Sequence, residues 1–174
     1  MKKRVTLIIM LVASQTFAAE DHKPYAGQQN REVKALSASE VDGLLKGKGL
    51  GMAKPAELNK YPGPKHVLEI ADKLDLSQEQ LQLTQQLFRQ MKSEAMSLGK
   101  KIVRAEKKLD ELFMSGRVTD KSLKKALEEI AILRGKLRFV HLKTHLQQKK
   151  VMTIQQVHQY VRLRGYGGKH QGHH

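Results

Sequence analysis

The sequence has no cysteine and no tryptophan, and aromatic side chains make up only 5% of its 174 residues. The absence of cysteine excludes disulfide bonds, thiolate metal sites and cysteine nucleophiles. So few aromatic side chains, among many Lys, Gln and Leu residues, favour extended helices over a thick globular core. Stability is therefore expected to come from helix packing or from oligomerisation.

The sequence also lacks an apolar run long enough to cross a bilayer, which takes about 20 residues. The run from Val5 to Ala13 is shorter, follows basic residues 2–4 and precedes small residues around Thr16 and Ala18. This order is typical of a secretory signal peptide. We expect residues 1–19 to be cleaved on export to the periplasm.

Acidic residues are absent after Glu129, although the formal net charge of the chain is +15. Residues 19–77 carry as many acidic as basic side chains, so the basic excess of the exported chain lies in its C-terminal half. Such a field attracts anionic partners. For an exported protein we expect unfolded polypeptide or anionic lipid as the partner, and not nucleic acid.

The apolar positions from Gln78 to Ser115 repeat every seven residues. A repeat held over about five heptads is typical of helices that pack lengthwise, so one long helix is predicted here. Gly99 within it costs about 1 kcal/mol relative to Ala and allows a bend. The two rows of the repeat are Leu81, Phe88, Ala95, Ile102 and Leu109, and Thr84, Met91, Leu98, Ala105 and Leu112.

A turn is predicted at 115–118, followed by a second patterned helix that begins at Thr119 or Asp120 and ends near Lys150. A last helix is expected over 154–164, and no stretch of useful length alternates as a strand does. The predicted fold class is all-α: an elongated helical hairpin of two long helices flanked by short helices, with no β-sheet.

Four parts are expected along the chain. They are the signal peptide at 1–19, a flexible N-terminal extension at 20–63 with one short helix after Ser37, a helical domain at 64–166 and a disordered His-rich tail at 167–174. Pro64 is expected to begin a helix that runs to about Lys73. The sequence leaves open whether the extension folds over the hairpin or stays free.

The second long helix carries more apolar residues than one partner helix can cover. A two-helix hairpin needs only one apolar stripe, so a second contact is expected. A dimer, the short flanking helices or a bound client would each provide it. The surplus residues are Leu127, Ile132, Phe139, Leu142 and Leu146.

Two near-copies of one short motif flank the hairpin. The first is Leu76-Ser77-x-x-Gln80 and the second is Met152-Thr153-x-x-Gln156. A hydroxyl three positions before a Gln predicts a capping box, in which the hydroxyl and the Gln satisfy free amides at the start of a helix. Each motif is therefore expected to begin a helix.

This pair of motifs resembles the twin LTxxQ motifs of the Spy/CpxP family of periplasmic proteins, over roughly residues 64–166. Ser77 and Met152 depart conservatively from the Leu-Thr pattern. The resemblance implies an all-helical, ATP-independent chaperone and stress protein, a homodimer that forms a curved cradle, and relatives that bind zinc or other heavy metals.

A basic, partly apolar helical surface is the candidate site for binding unfolded or misfolded proteins. The alternative interpretation of these residues is a solvated helical face. The missing acidic partners after Glu129 and the surplus apolar width argue for binding. The candidate client-binding residues are Lys100, Lys101, Arg104, Lys108, Arg134, Arg138, Phe139 and Leu142.

Histidines form a candidate metal site. His141 and His145 lie one helical turn apart, and a last helix that folds back would bring His158 to them as a third ligand. The alternative is that they are polar packing residues on a basic helix. The tail residues His170, His173 and His174 form a second, weak candidate cluster.

No arrangement of residues predicts catalysis, so we expect no enzyme activity and no required cofactor, with zinc as the candidate metal. A second hypothesis for function is a periplasmic metal-binding sensor or regulator of envelope stress. It would act through the histidines and contact the periplasmic domain of a sensor kinase. A third hypothesis is an adaptor for anionic lipid.

Overall fold

The computed structural model describes residues 25–167, and helices account for most of that range. Single 3-10 turns lie at Gln28–Asn30 and Ala71–Lys73. The six α-helices are α1 (Ala38–Leu45), α2 (Lys54–Glu57), α3 (Pro64–Glu69), α4 (Gln78–Met114), α5 (Asp120–Val151) and α6 (Ile154–Leu163). The all-α hairpin predicted from the sequence is confirmed. None of these helices is long and apolar enough to cross a membrane. The expected signal peptide at 1–19 lies outside the described residues.

Helices α4 and α5 form the hairpin and pack antiparallel. Arg134 pairs with Glu106 towards the turn, whereas Gln148 donates to Thr84 near the opposite end. With 37 residues, α4 is a rod of about 55 Å. The heptad rows predicted for α4 contribute buried residues to the hairpin. The buried members of these rows are Thr84, Met91, Ala95, Ile102 and Ala105, and α5 buries Ile130, Leu137, Val140 and Thr144.

The N-terminal extension folds over the hairpin within its described part. Val33, Leu36 and Leu44 are buried in one cluster with Ile102 of α4 and Leu137 of α5. The sequence left this arrangement open and favoured a flexible segment. Burial of three aliphatic side chains offsets the entropy lost when the segment is ordered.

Helix α4 continues unbroken through Gly99. This glycine lies where the end of α1 crosses α4. A Cβ atom at this position would lie 2.0 Å from the Leu44 carbonyl oxygen and 2.6 Å from the Leu44 carbonyl carbon. The glycine is therefore the residue that allows the two backbones to touch.

The open end of the hairpin is closed by α3 and α6. Their cluster contains Val67, Leu74, Met152 and Tyr160, and Leu74 and Tyr160 are completely buried. Helix α3 ends at Glu69, earlier than the predicted Lys73. The chain leaves the helix there and turns so that Leu74 enters the cluster, and the Ser77 cap follows.

Substitution of Gly99 by Ala is expected to destabilise the protein by about 1–3 kcal/mol, because the new methyl group collides with the α1 backbone. The intrinsic helix preference acts in the opposite direction by about 1 kcal/mol. A Cβ atom at Gly135 in α5 would meet only open space, so Gly135→Ala is the matched control and should stabilise. Urea unfolding of both variants measures the difference. Equal stabilisation by both would contradict the close α1–α4 contact.

Candidate functional site

The side chains of the two motif glutamines bind each other. Gln80 Nε2 donates to Gln156 Oε1 at 2.9 Å, and Gln156 Nε2 donates to Gln80 Oε1 at 3.0 Å. We call this pair the glutamine clasp. It joins the first turn of α4 to the first turn of α6, so the two motifs form one structure.

The remaining hydrogen bonds of the clasp are also symmetric. Gln80 Nε2 donates to the Val151 carbonyl at 2.8 Å, and Gln156 Nε2 donates to the Asp75 carbonyl at 3.2 Å. These carbonyls lie two residues before the caps Thr153 and Ser77, whose own amides donate to the clasp oxygens. Each amide thereby uses its full hydrogen-bonding capacity, which a carboxylate could not do because it has no donor.

The capping boxes predicted at Ser77 and Thr153 are both present. The contact between them was not predicted. A capping box accepts Glu as well as Gln, as Glu40 does after Ser37 in α1. The sequence signal for this contact was the use of Gln in both motifs, since in a reciprocal pair each side chain must both donate and accept.

Exchange of Gln80 for Glu tests the clasp separately from the cap. Glu keeps the acceptor for the Ser77 amide but loses both donors, so we expect the free energy of unfolding to fall by about 1–3 kcal/mol. The reverse exchange Glu40→Gln is the control, because within residues 25–167 the hydrogen bonds of Glu40 are to Ser37 of its own capping box. Chemical denaturation gives both values. Equal small losses would show that the clasp adds nothing to stability.

The outward side of α5 exposes a regular apolar row. Ile132, Phe139 and Leu146 follow each other at seven-residue intervals, and they are 57%, 63% and 52% exposed. An exposed lysine stands four residues after each of them, so the lysine row shares the same helix face. We call this surface the α5 outer face: Ile132, Phe139, Leu146, Lys136, Lys143 and Lys150.

A dimer, the short flanking helices or a bound client was expected to cover the surplus apolar residues of α5. Within residues 25–167, the flanking helices leave the α5 outer face exposed. The sequence interpretation named Phe139 as a client contact but did not pair the apolar row with the lysine row. Both rows repeat every seven residues at positions outside the hairpin seam. This spacing is the sequence signal that could have identified the α5 outer face.

The other predicted client-binding residues are distributed over both long helices. Leu142 is half-buried. The exposed members of the set are Lys100, Lys101, Arg104 and Lys108 on α4 and Arg138 on α5. Arg134 differs because its guanidinium lies 2.6 Å from the buried carboxylate of Glu106. Loss of this partner would leave an uncompensated buried charge. Arg134 therefore has a structural role beside any role in binding.

A buried carboxylate connects four of the helices. Glu57, at the end of α2, accepts a hydrogen bond from the Tyr160 hydroxyl of α6, and its Oε1 lies 3.1 Å from His66 Nδ1 of α3. Its Oε2 lies 3.6 Å from His145 Nδ1 of α5. Burial and the hydrogen bond to Glu57 raise the pKa of Tyr160, so its hydroxyl stays a donor. No local motif marks Glu57 in the sequence.

The predicted metal ligands are only partly brought together. His141 and His145 are both buried on the inner side of α5, and His145 donates through Nδ1 to the Tyr61 carbonyl at 2.8 Å. His158 is exposed beside a separate depression near Lys60 and Lys149. Among residues 25–167 no three His, Asp or Glu side chains are arranged to hold a metal ion. His170, His173 and His174 lie outside the described residues.

His141 is the buried histidine with the clearest electrostatic consequence. Burial lowers its pKa below the ordinary value, and neighbouring His145 lowers it further. The ring is therefore neutral near pH 7. Its Nε2 atom is buried and has no hydrogen-bond partner among the described residues.

Stability is expected to fall on acidification because His141 is buried neutral. The contribution is complete above the ordinary pKa of 6.5 and is lost as the pH falls through the lowered folded pKa. His141→Leu should therefore flatten the decline of the unfolding free energy below pH 6.5. Thr144→Val, also buried on α5, should shift the whole curve without changing its slope. An unchanged slope in the His141 variant would contradict the assignment.

Comparison of the chain with protein-family models, with curated proteins and with solved structures found no match.

Proposed function

We propose that this protein is an ATP-independent periplasmic chaperone that binds unfolded or misfolded proteins on the α5 outer face. The observation that carries the proposal is the exposed apolar row of α5 beside its lysine row. Ordinary soluble surfaces scatter exposed apolar side chains singly, whereas an ordered set of them marks an interaction site. The resemblance of the twin motifs to Spy/CpxP proteins supports the same function.

The chemistry of this face suits a chain that has not folded. An unfolded polypeptide exposes apolar side chains together with backbone carbonyls and carboxylates, and the face offers an apolar row and a row of ammonium donors. The three apolar side chains are about 10 Å apart along the helix, so contacts form one at a time. Each fully buried side chain contributes about 1.5–3 kcal/mol, which gives loose and reversible binding without a nucleotide.

A second copy of the chain is a poor occupant of the α5 outer face. In an isologous contact the same patch meets itself, so the two lysine rows would be brought together without carboxylates to neutralise them. No acidic residue follows Glu129 to provide that neutralisation within the helix. The homodimer implied by the resemblance would therefore use another surface.

The other exposed cations extend the attraction beyond this face. Lys100, Lys101, Arg104 and Lys108 of α4 and Arg138 of α5 add to the basic field that draws anionic segments towards the hairpin. This first stage of capture is expected to weaken with salt, because exposed charges are screened beyond about 8–10 Å at physiological ionic strength. The apolar contacts formed afterwards do not weaken in this way.

The test is suppression of aggregation of a chemically denatured protein, followed by light scattering with the chain added and no nucleotide. The triple variant Ile132→Ser, Phe139→Ser, Leu146→Ser should lose most of the suppression. The triple variant Lys136→Glu, Lys143→Glu, Lys150→Glu should lose most of it as well, and the residual effect should depend less on salt. Both sets are exposed, so circular dichroism should show an intact helical fold.

The matched control is Lys121→Glu, Lys124→Glu, Lys125→Glu, which changes the net charge equally near the hairpin turn. These three lysines are also exposed on α5. Equal loss in the control would mean that net charge alone matters, and undiminished suppression by both test variants would overturn the proposal. Binding to anionic vesicles without any effect on aggregation would favour a lipid adaptor instead.

A further inference from the structure

A cavity of about 620 Å³ lies where the glycine-rich loop at 47–51 and helices α2 and α3 meet the hairpin. Pockets that bind small organic molecules have volumes of about 300–1,000 Å³ and mostly apolar walls. The apolar wall of this cavity includes Leu58, Phe88 and Met91. The α5 outer face contributes none of its six residues to the lining, so a role for the cavity is independent of the proposed chaperone function.

Basic side chains outnumber acidic ones around the cavity. Glu57 is the one acidic residue among the described residues of the lining, which also contains four lysines: Lys48, Lys54, Lys65 and Lys92. All four lysines are exposed, whereas Glu57 is buried. The solvent-facing side of the cavity is therefore positively charged, which favours an anionic group at the entrance.

The carboxylate of Glu57 is withdrawn from the space that a ligand would fill. Its Oε1 atom accepts a hydrogen bond from the Tyr160 hydroxyl and lies 3.1 Å from His66 Nδ1. Its Oε2 atom is buried, so a ligand in the cavity would not touch it. The acidic residue of the lining therefore does not offer a cation a contact to balance the repulsion of the four lysines.

Two of the four lysines have no carboxylate partner among the described residues. Lys48 Nζ and Lys65 Nζ lie 2.7 Å and 3.6 Å from neighbouring carboxylate oxygens. Lys54 and Lys92 form no such ion pair within residues 25–167. Their ammonium groups are therefore available to an anionic ligand.

These two lysines adjoin opposite ends of the glycine-rich loop. A Cβ atom at Gly47 would lie 2.9 Å from the Lys92 carbonyl oxygen, and a Cβ atom at Gly51 would lie 3.8 Å from Lys54 Cε. Lys92 Nζ also lies 6.0 Å from the centre of the Phe88 ring. An unpaired ammonium group is therefore already next to the apolar wall, which is the arrangement that an amphiphilic anion requires.

We propose that the cavity binds a single-chain anionic amphiphile, with one alkyl chain and one carboxylate head group. The head group would lie at the exposed loop and pair with Lys54 and Lys92, and the chain would lie against Phe88 and Met91. Lysine side chains are long and flexible, so their ammonium groups can move to the head group. Burial of the chain provides affinity, and the charge-assisted hydrogen bonds fix its direction.

Other ligand classes fit less well. A cationic amphiphile would meet four lysines at the entrance, and an uncharged one would form no ion pair with the two unpaired lysines. A phospholipid that stays in a bilayer offers an anionic head group as well, but it keeps its chains in the membrane and leaves the apolar wall of the cavity uncovered.

The test is isothermal titration of the chain with n-octanoate, with 1-octanol and n-octylammonium as probes of the same length. Octanoate should bind as one molecule per chain, at least tenfold more tightly than either probe, and should raise Tm. Equal binding of octanol would show a cavity without charge selection, and equal or tighter binding of octylammonium would show that the lysines do not govern it. Either result overturns the proposal, and so does a failure of octanoate to bind.

The length of the alkyl chain separates binding in the cavity from binding to surface lysines. From butanoate to hexanoate to octanoate, each pair of added CH₂ groups should tighten binding by about tenfold, because these groups are removed from water. Equal affinity of the three acids would mean that the head group alone is bound, and it would overturn the proposal.

The double variant Lys54→Met, Lys92→Met locates the head group. Met keeps an apolar stem and removes the charge, so octanoate binding should weaken at least tenfold while octanol binding stays the same. The matched control is Lys100→Met, Lys101→Met, which removes two exposed charges of α4 outside the cavity lining and should leave octanoate binding unchanged. Equal weakening in both double variants would mean that net charge alone matters and would overturn the assignment.

The α5 outer face also combines apolar and basic side chains, so it is the competing site for octanoate. The triple variant Lys136→Glu, Lys143→Glu, Lys150→Glu should leave octanoate binding unchanged even where it loses suppression of aggregation. Loss of octanoate binding in this variant, with binding kept in the Lys54 and Lys92 variant, would place the ligand on α5 and overturn the proposal.

Vesicles of phosphatidylglycerol test a membrane as the source of the anion. Vesicle binding that depends on Lys54 and Lys92, without binding of free octanoate, would assign these lysines to a membrane surface and overturn the proposal. Binding of free octanoate that vesicles do not prevent is the result expected for an enclosed chain.

Discussion

The glutamine clasp is the interaction on which the rest of the structure depends. A hairpin of two long helices is closed covalently at its turn, but its other end needs a tie, and Gln80 and Gln156 provide it with reciprocal amide hydrogen bonds. The clasp sets the direction in which α6 leaves α5. Tyr160 is thereby placed against Glu57, and α2 and α3 are fixed on the same side of the hairpin.

This construction gives the hairpin two different surfaces. On one side the N-terminal segment, α2 and α3 cover the seam and enclose a cavity around Glu57 and His141. The α5 outer face is left uncovered among the described residues, with an apolar row beside a lysine row. The covered and the uncovered sides of the hairpin therefore differ in shape and in the exposure of their apolar side chains.

Some buried polar groups have a partner in the structure, and others have none among the described residues. Glu106 is compensated by Arg134. Gln148 donates to Thr84 through Nε2, but its Oε1 has no hydrogen-bond partner among the described residues. Glu57 Oε2 and His141 Nε2 likewise have no hydrogen-bond partner among the described residues. Each unsatisfied buried polar atom lowers the stability of the fold, because it has lost its hydrogen bonds to water without gaining others.

The sequence by itself determined the helices, because heptad spacing and capping boxes are local and act within a few residues. It placed α4 and α5 within one residue of their observed ends and identified all the residues of the two motifs. Only the tertiary structure decided that Gln80 meets Gln156, that Gly99 receives α1 and that Glu57 receives Tyr160. The last two partners are 103 residues apart. Such contacts form only when the hairpin brings segments that are distant in sequence close together. The residues around each partner therefore do not predict which distant residue it will contact.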